Sequence, residues 1–458
     1  MHLAPVLVMV VLFVILAALR VPISYSIGIA TVITMTIFII MPANATRSMW
    51  YCLTLASQQM CSKMTKQLEN FTLICIPFFI LSGMLMGKGG LARRLIDLAN
   101  VLVGWIPGGL ALVNVLSCMF FGAISGAATA AASSIGSFII PIMVEEEYNR
   151  EYSTGLTVCA ATLGLLIPPS NAMIVYAVAQ GNISIAAIFL AGFLPGVMMG
   201  LGLMIVAGII AYRHGYGARA KHHFSFRALG SRFLRAVPSL LLVVIVLGGI
   251  LGGIFHASEA AVIAVLYAMF LTMLIYRQVG LTAFYHLLVR CGIITAFIMF
   301  LVAVSLAMGW VLTYLDIPQT VSKALIGTGG AISSALGLAS EKYVVLLMVN
   351  IILIVVGMFM DQTPAILIFT PIFMPVSNAL GMNPIHFGLI LITNLCIGLC
   401  TPPVGTVLFV GCGVGNTSVT KVTRPLLPFF AVMILILFVI TYMPEGWIMW
   451  LPRVCGYG

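Results

Sequence analysis

GLLIPPSNA at residues 164–172 and GLCTPPVGT at residues 398–406 each place a Pro-Pro pair inside otherwise apolar sequence. The two stretches lie 234 residues apart, and residues 127–184 align on residues 361–418 without gaps. The identical positions are mainly proline, glycine, asparagine and small hydroxyl residues, which break or cap helices. Interrupted apolar segments at corresponding positions of two halves are typical of the binding site of a secondary transporter. The repeat therefore predicts a transporter.

The composition indicates a protein that crosses the lipid bilayer many times. Hydrophobic residues make up 62% of the 458 residues and charged residues 7%, whereas a soluble domain carries roughly 25% charged residues. The net charge of +10 does not predict a nucleic-acid partner, because the basic residues fall in short loops that orient membrane proteins. The ten cysteines form no CxxC pair, so neither a disulfide framework nor a transition-metal site is expected.

Two kinds of apolar segment are present. Continuous runs long enough to span a bilayer fall near 3–20, 25–41, 71–87, 184–211, 237–255, 260–276, 293–314 and 424–443. Interrupted segments predict two re-entrant helical hairpins, at 101–144 with a tip at 122–134 and at 343–378 with a tip at 360–365, and two helices unwound at Pro-Pro, at 154–180 and 386–414. Charged segments near 48–66 and 281–292 are interpreted as interfacial arm helices.

Counting membrane crossings relates the two halves. Five crossings separate the hairpins, so they open to opposite faces and the repeat is inverted. The fold class expected is thus an all-α polytopic membrane protein, an inverted-repeat transporter with two re-entrant hairpins and two broken transmembrane helices. The linker 212–236 has six basic and no acidic residues, which predicts a cytoplasmic linker and both termini outside.

The same reading divides the chain into scaffold and transport parts. The predicted parts are 1–100 (N-terminal scaffold and arm helices), 101–180 (first hairpin and broken helix), 181–341 (scaffold, linker and second arm), 342–414 (second hairpin and broken helix) and 415–458 (C-terminal scaffold helix and tail).

Polar residues gather at the four interruptions. A broken helix leaves N–H groups that suit anions and C=O groups that suit cations. The candidates are Ser125, Gly126 and Thr129 at the first tip, Pro168, Pro169, Ser170 and Asn171 at the first break, Asp361, Gln362 and Thr363 at the second tip, and Thr401, Pro402, Gly405 and Thr406 at the second break. For any one serine or glycine the alternative is helix packing, and for a proline pair it is a structural kink.

Asp361 is the strongest single candidate for a functional residue. A carboxylate at membrane depth is unfavourable by at least ~2.5–3.5 kcal/mol and normally marks a function or a partner. The alternative is an N-cap for the returning hairpin arm, and the two roles are compatible. Since Asp361 is the one well-placed titratable group, sodium coupling is favoured over proton coupling.

The sequence motifs of several other protein functions are absent. No P-loop, HExxH or nucleophile–base arrangement is present, so neither ATP hydrolysis by that route nor enzyme activity is expected. No lysine or arginine lies in a tip or a break. An anionic substrate would then be held by helix N-termini, hydroxyls, amides and co-bound cations, unless a basic residue reaches in from another element.

Four segments carry a resemblance to one family. FFGAISGAATAAASSIGSFIIP (120–141), GLLIPPSNAMIVYAV (164–178), MDQTPAILIFTPIFMPV (360–376) and IGLCTPPVGTVLFV (397–410) resemble the large membrane subunit of tripartite ATP-independent periplasmic (TRAP) transporters, within the ion-transporter superfamily. The resemblance extends in order and spacing over nearly the whole chain. In this chain the first tip has Ala127 and Ala128, where the family is usually richer in serine.

The resemblance implies a function and partners. It implies the transport subunit of an importer in the bacterial inner membrane, driven by sodium, using an elevator motion and taking up organic acids such as C4-dicarboxylates or sialic acid. It also implies a small four-helix membrane subunit, a soluble periplasmic binding protein and no cofactor besides Na⁺. The implied sodium residues are Ser125, Gly126, Thr129, Pro168, Pro169, Asp361, Thr363, Thr401, Pro402 and Gly405, and the implied substrate residues are Ser170, Asn171, Gln362 and Thr406.

Two other functions stay open from the sequence. A stand-alone carboxylate symporter or antiporter of the same superfamily would work without a binding protein. An ion channel is the second alternative, since re-entrant loops also build selectivity filters.

Overall fold

The computed structural model describes residues 3–19, 21–40, 48–69, 71–181, 183–216, 226–335, 337 and 340–457. Within these ranges the chain is helical and has no β-strand. Residues 217–225 of the predicted cytoplasmic linker lie outside the described residues.

The helices follow one another with short connections. In chain order they are α1 (Leu3–Ala18), α2 (Ile23–Ile40), α3 (Met49–Leu68), α4 (Cys75–Lys88), α5 (Leu91–Val103), α6 (Gly109–Ser125), α7 (Ala128–Glu145), α8 (Arg150–Ala161), α9 (Asn171–Gln180), α10 (Ile185–Arg213), α11 (Phe226–Leu251), α12 (Ala257–Met269), α13 (Leu281–Tyr314), α14 (Ile317–Ala335), α15 (Glu341–Phe359), α16 (Gln362–Ala379), α17 (Pro384–Gly398), α18 (Thr406–Gly415), α19 (Val419–Tyr442), α20 (Glu445–Ile448) and α21 (Trp450–Val454). Short 3₁₀ turns precede α4 (Phe71–Ile74) and follow α8 (Thr162–Leu165), and a π-helical segment follows α12 (Phe270–Ile275).

Among the described residues, eight helical segments are long and apolar enough to cross a membrane. They are Phe71–Lys88, Ala128–Glu145, Ile185–Arg213, Arg232–Leu251, Ala257–Ile275, Leu281–Tyr314, Glu341–Phe359 and Val419–Tyr442. The shorter apolar helices include α6, α17 and α18, which are hairpin arms and halves of broken helices. The predicted all-α polytopic membrane class is confirmed.

Both predicted hairpins form, and each turns over only two residues. Between α6 and α7, Gly126 adopts a left-handed φ of 60° and Ala127 is extended. Between α15 and α16, both Met360 and Asp361 are extended. The rest of the predicted first tip, 122–134, is helical, because its alanines favour helix and only one position needs the freedom of glycine.

Both predicted helix breaks also form. The first half of the first broken helix ends with the 3₁₀ turn at Leu165, and α9 resumes at Asn171; in the second, α17 ends at Gly398 and α18 resumes at Thr406. The Pro168–Pro169 and Pro402–Pro403 bonds are both cis. The start of α16 follows that of α7 by 234 residues, and α17 follows α8 by the same interval. The sequence repeat is therefore a structural repeat.

Each hairpin packs closely against the broken helix of its own half. A Cβ on Gly122 of α6 would overlap the Cα of Gly164, and a Cβ on Gly398 would overlap the backbone of Gly357 in α15. Buried amides add a second contact in each half. Asn114 Nδ2 donates to Thr157 Oγ1 over 2.8 Å, and Asn394 Nδ2 donates to Asn350 Oδ1 over 2.8 Å. Small residues permit this close approach of backbones within a membrane.

The two halves interlock rather than lying side by side. The hairpin arm α7 packs against α18 of the other half, and α16 packs against α9. Tyr176 of α9 donates its hydroxyl to the carbonyl of Pro384 over 2.6 Å, which ties α9 to the start of α17. The hairpins and broken helices of both halves thus form one packed block.

Several elements differ from the expectation. The segment 281–292, interpreted as an interfacial arm helix, is continuous with the rest of α13, because the lone Gly292 weakens a helix without ending it. Its position at the membrane interface stays a prediction. The helix α14 and the short α20 and α21 were not predicted. The segment 48–66, by contrast, corresponds to α3, which is not one of the candidate spans among the described residues.

Candidate functional site

A cavity of about 760 Å³ lies where the tips of both hairpins meet the two breaks. The predicted residues that line it are Ser125, Gly126, Thr129, Asn171, Asp361, Gln362 and Thr363. They come from both halves of the chain, although nearly 200 positions separate Asn171 from Asp361. The interlocking of the halves therefore builds one shared site.

The other predicted residues lie behind this lining. Pro168, Pro169, Ser170, Thr401, Pro402, Gly405 and Thr406 are not among the residues that border the cavity. Ser170 Oγ donates to the carbonyl of Leu165 over 2.6 Å, and Thr401 Oγ1 donates to that of Ile397 over 2.7 Å. The Ser170 hydroxyl satisfies a carbonyl whose helical donor would be Pro169, which has no N–H, and the Thr401 hydroxyl adds a second donor to a carbonyl that already accepts from the amide of Cys400. Both residues thus stabilise the unwound backbone.

The first tip and the first break leave two buried oxygens unsatisfied. Within the part of the chain that the structure describes, neither Ser125 Oγ nor Asn171 Oδ1 has a hydrogen-bond partner. A Cβ on Gly126 would lie 3.1 Å from the carbonyl oxygen of Pro169 and 3.3 Å from the amide nitrogen of Asn171, so the tip and the break are in contact. Buried polar atoms in native proteins are normally paired. Hydroxyl, amide and carbonyl oxygens grouped in this way are the ligands that a hard cation prefers.

The second tip and the second break show a related arrangement. The carboxyl group of Asp361 lies beside the hydroxyl of Thr406, whose buried Oγ1 has no partner of hydrogen-bond geometry. Asp361 occupies the N-cap position of α16, but its side chain makes no capping hydrogen bond. The N-cap alternative therefore describes the position of Asp361 and leaves its carboxylate available to the cavity.

Two basic residues that sequence reasoning did not place in the site also line the cavity. They are Lys88, at the end of α4, and Arg290, on α13. The packing of α13 against α4 brings Arg290 there. Its neighbour Cys291 lies with Sγ 3.6 Å from the carbonyl oxygen of Pro77.

The helix α4 also contacts the first tip. A Cβ on its Gly83 would lie 3.0 Å from the carbonyl oxygen of Ser125, so α4 connects the wall bearing Arg290 with that tip. The sequence does contain a signal that could have identified Arg290. It is the only charged residue (Asp, Glu, Lys or Arg) in the 34 residues of α13. A lone charge in so apolar a helix marks a functional position.

The cavity combines two kinds of chemistry. One part presents oxygens and a carboxylate from the hairpin tips, and the other presents the cations of Arg290 and Lys88 beside an apolar wall that includes Phe297 and Leu301. The first suits a small cation and the second suits a small organic anion. The site can therefore hold both together.

Comparison with known proteins gives one consistent family. Residues 10–446 match the family model described as the tripartite ATP-independent periplasmic transporter, DctM component. The C4-dicarboxylate TRAP transporter large permease protein DctM of Pseudomonas aeruginosa is 40% identical over 83% of this chain and 86% of that protein. The isethionate TRAP transporter permease protein DctMQ of Oleidesulfovibrio alaskensis is 37% identical over 82% of this chain and 58% of that protein.

A solved structure shares the fold. The Alcanivorax borkumensis YdaH transporter, whose crystal structure is described as revealing an unusual topology, matches with a TM-score of 0.58 and 14% identity. The match covers 87% of this chain and 90% of that one. At this identity the likeness concerns the fold alone, and it agrees with the predicted transporter architecture.

Proposed function

Because the chain belongs to the tripartite ATP-independent periplasmic transporters, as a member of their DctM component, we propose that it is the transport subunit of a sodium-driven importer of organic acids. The members of this component are transporter permeases, so the chain is not an enzyme. The observation that carries the proposal is the shared cavity, in which unpartnered oxygens lie beside basic side chains.

Sodium is the coupling ion that the oxygens support. Ser125 Oγ and Asn171 Oδ1 are buried and have no partners among the described residues. An ion that binds between them offsets the unfavourable free energy of burying unsatisfied polar groups. Proton coupling needs titratable groups along the transport path. Of the residues that line the cavity in the described part of the chain, only Asp361 is acidic. The donor set thus favours Na⁺ over H⁺.

The basic residues support an anionic substrate. The two relatives are named for C4-dicarboxylates and isethionate, which are both small organic anions. Arg290 offers a planar fork of donors that matches a carboxylate or sulfonate, and Lys88 adds a second charge. Carboxylates such as C4-dicarboxylates or sialic acid are the proposed substrates.

The packing supports an elevator motion. The hairpins and broken helices form one interlocked block, whereas α2 and α3 pack against each other and against α13, which in turn contacts α16 of the block. Movement of a substrate-carrying block against a static scaffold is one way to alternate access around a site. Under this proposal the cavity travels with the block and the ions travel with the substrate.

The proposal includes partners and a location. The chain would act in the bacterial inner membrane with a small four-helix membrane subunit and a soluble periplasmic binding protein. One relative is named DctMQ, and the present chain spans 58% of it. Both termini would be periplasmic and the linker 212–236 cytoplasmic, as the positive-inside rule requires.

Transport in proteoliposomes tests the proposal. The chain would be reconstituted with its small subunit, and radiolabelled succinate, isethionate and sialic acid would be supplied with the cognate binding protein. We expect saturable uptake of at least one anion, driven by an inward Na⁺ gradient and abolished when K⁺ replaces Na⁺. Uptake without the binding protein would indicate the stand-alone symporter, uptake driven by a pH gradient alone would exclude sodium coupling, and non-saturable flux would indicate a channel.

A further inference from the structure

A second cavity, of about 730 Å³, lies between α2, α3 and α13 and shares no lining residue with the central one. It lies at the C-terminal ends of α2 and α13, where Phe38, Ile39, Trp310 and Tyr314 form much of its wall. Both helices are strongly apolar, and two such helices that end at the same cavity place it near one membrane face. The cavity is therefore at the level of lipid headgroups.

The helix α3 closes this cavity and has the composition of an interfacial helix. It is not a candidate span among the described residues, and it carries Trp50 and Tyr51 at 75% and 54% exposure. Its polar residues Gln59 and Lys63 face the cavity. Amphipathic helices with exposed aromatics lie in the plane of the membrane surface. The polar side of α3 thus meets the cavity where the bilayer becomes polar.

Two polar groups of the cavity, on Lys63 and Gln59, have no ionic or hydrogen-bonding partner among the described residues. The Lys63 ammonium lies 4.7 Å from the ring centroid of Trp310, and within the described part of the chain it has no carboxylate partner. An ammonium over a ring still has N–H donors to offer. Gln59 Oε1 is buried and has no hydrogen-bond partner among the described residues. A donor and an acceptor are therefore both available to a ligand.

We infer that this cavity binds a membrane glycerophospholipid. Its phosphate contacts Lys63, the only charged residue among the described residues that line the cavity, and a hydroxyl or ammonium of the headgroup donates to Gln59 Oε1. One acyl chain lies along the apolar wall formed by Phe38 and Ile39. Basic pockets between membrane helices bind lipid headgroups by the same charge complementarity. The site is independent of sodium coupling and of the transported substrate.

Native mass spectrometry of the delipidated full chain in detergent tests this inference. The probes are dioleoyl phosphatidylglycerol, dioleoylglycerol, which lacks the phosphate, and glycerol 3-phosphate, which lacks the chains. We expect one tightly bound phosphatidylglycerol and much weaker binding of the other two probes. Lys63→Met should weaken phosphatidylglycerol binding about tenfold or more, since hydrogen bonds to charged groups are the strong ones, and Lys63→Arg should restore it.

Matched variants separate binding from folding. Gln59→Leu should weaken binding less than Lys63→Met, and Lys66→Met, a cation on α3 outside the cavity lining, should leave binding unchanged. The melting temperature of each lipid-free variant would show whether it is folded. Equal lipid binding by wild type and Lys63→Met would overturn the inference.

Two further outcomes would also overturn it. Displacement of the lipid by equimolar glycerol 3-phosphate would indicate a soluble-phosphate site. Loss of the bound lipid on addition of the small membrane subunit would assign the cavity to that protein partner.

Discussion

Replacement of Ser125 by alanine is expected to raise stability in potassium and to reduce the extra stability that sodium provides. The Ser125 hydroxyl is buried, at 3% exposure, and has no hydrogen-bond partner among the described residues. In potassium, alanine removes an unsatisfied polar group, whose burial is unfavourable by about 1–3 kcal/mol. The sodium-free variant should therefore be more stable than the wild type.

The sodium-dependent part of the stability should shrink in the same variant. When the sodium concentration is about 100 times the Kd, bound sodium stabilises the wild type by about 2.7 kcal/mol. Loss of one oxygen ligand worth about 1.5–3 kcal/mol lowers the affinity about 10- to 100-fold. The gain then falls to about 0.4–1.4 kcal/mol, because the sodium concentration is only about 1–10 times the new Kd.

The assay is thermal unfolding of the purified chain in detergent, titrated with NaCl against KCl at constant ionic strength. Ser117→Ala is the matched control, since Ser117 lies on the same helix, is fully buried and also has an unpartnered Oγ, but does not line the cavity. It should raise stability equally in both salts. Two results would refute the assignment of Ser125 to an ion site. Either Ser125→Ala keeps the full sodium-dependent stabilisation, or Ser117→Ala loses as much of that stabilisation as Ser125→Ala does.

Three other substitutions test the rest of the site. Gly398→Ala should destabilise the chain by about 1–3 kcal/mol in thermal unfolding, because its Cβ overlaps the backbone of α15, whereas Gly413→Ala, with no atom within 4 Å of the new Cβ, should be neutral or stabilising. Arg290→Gln should raise the KM for the transported anion about tenfold or more, as loss of a charge-assisted hydrogen bond predicts. Arg424→Gln, exposed on α19 and outside the cavity, should leave that KM unchanged. Asp361→Asn should raise the sodium concentration for half-maximal uptake, and an unchanged sodium dependence would remove Asp361 from the ion site.

Much of the local architecture was predictable because it depends on residue types at fixed positions. Proline removes a backbone donor and glycine permits left-handed φ, so the breaks near Pro168 and Pro402 and the turn at Gly126 follow from the residues themselves. The exact extent of the first tip did not follow, since alanine and serine are compatible with both a loop and a helix.

The candidate site was predictable in part. The residues of both hairpin tips, such as Thr129 and Asp361, do line one cavity, because the repeat brings equivalent elements to equivalent depths. The basic residues Arg290 and Lys88 were missed, since they lie on helices with no break and no repeat partner in the motifs. Whether Arg290 faces the cavity or the lipid depends on the rotation of α13 against α4.

By itself the sequence determined the membrane class, the internal repeat and the four interruptions, because these depend on apolar run length and on the backbone limits of proline and glycine. Only the tertiary structure decided which interruptions share a cavity, which oxygens stay unpartnered and which cations face them. Those properties depend on the packing of α7 against α18 and of α13 against α4. Such contacts join residues far apart in the chain, and no local pattern encodes their register.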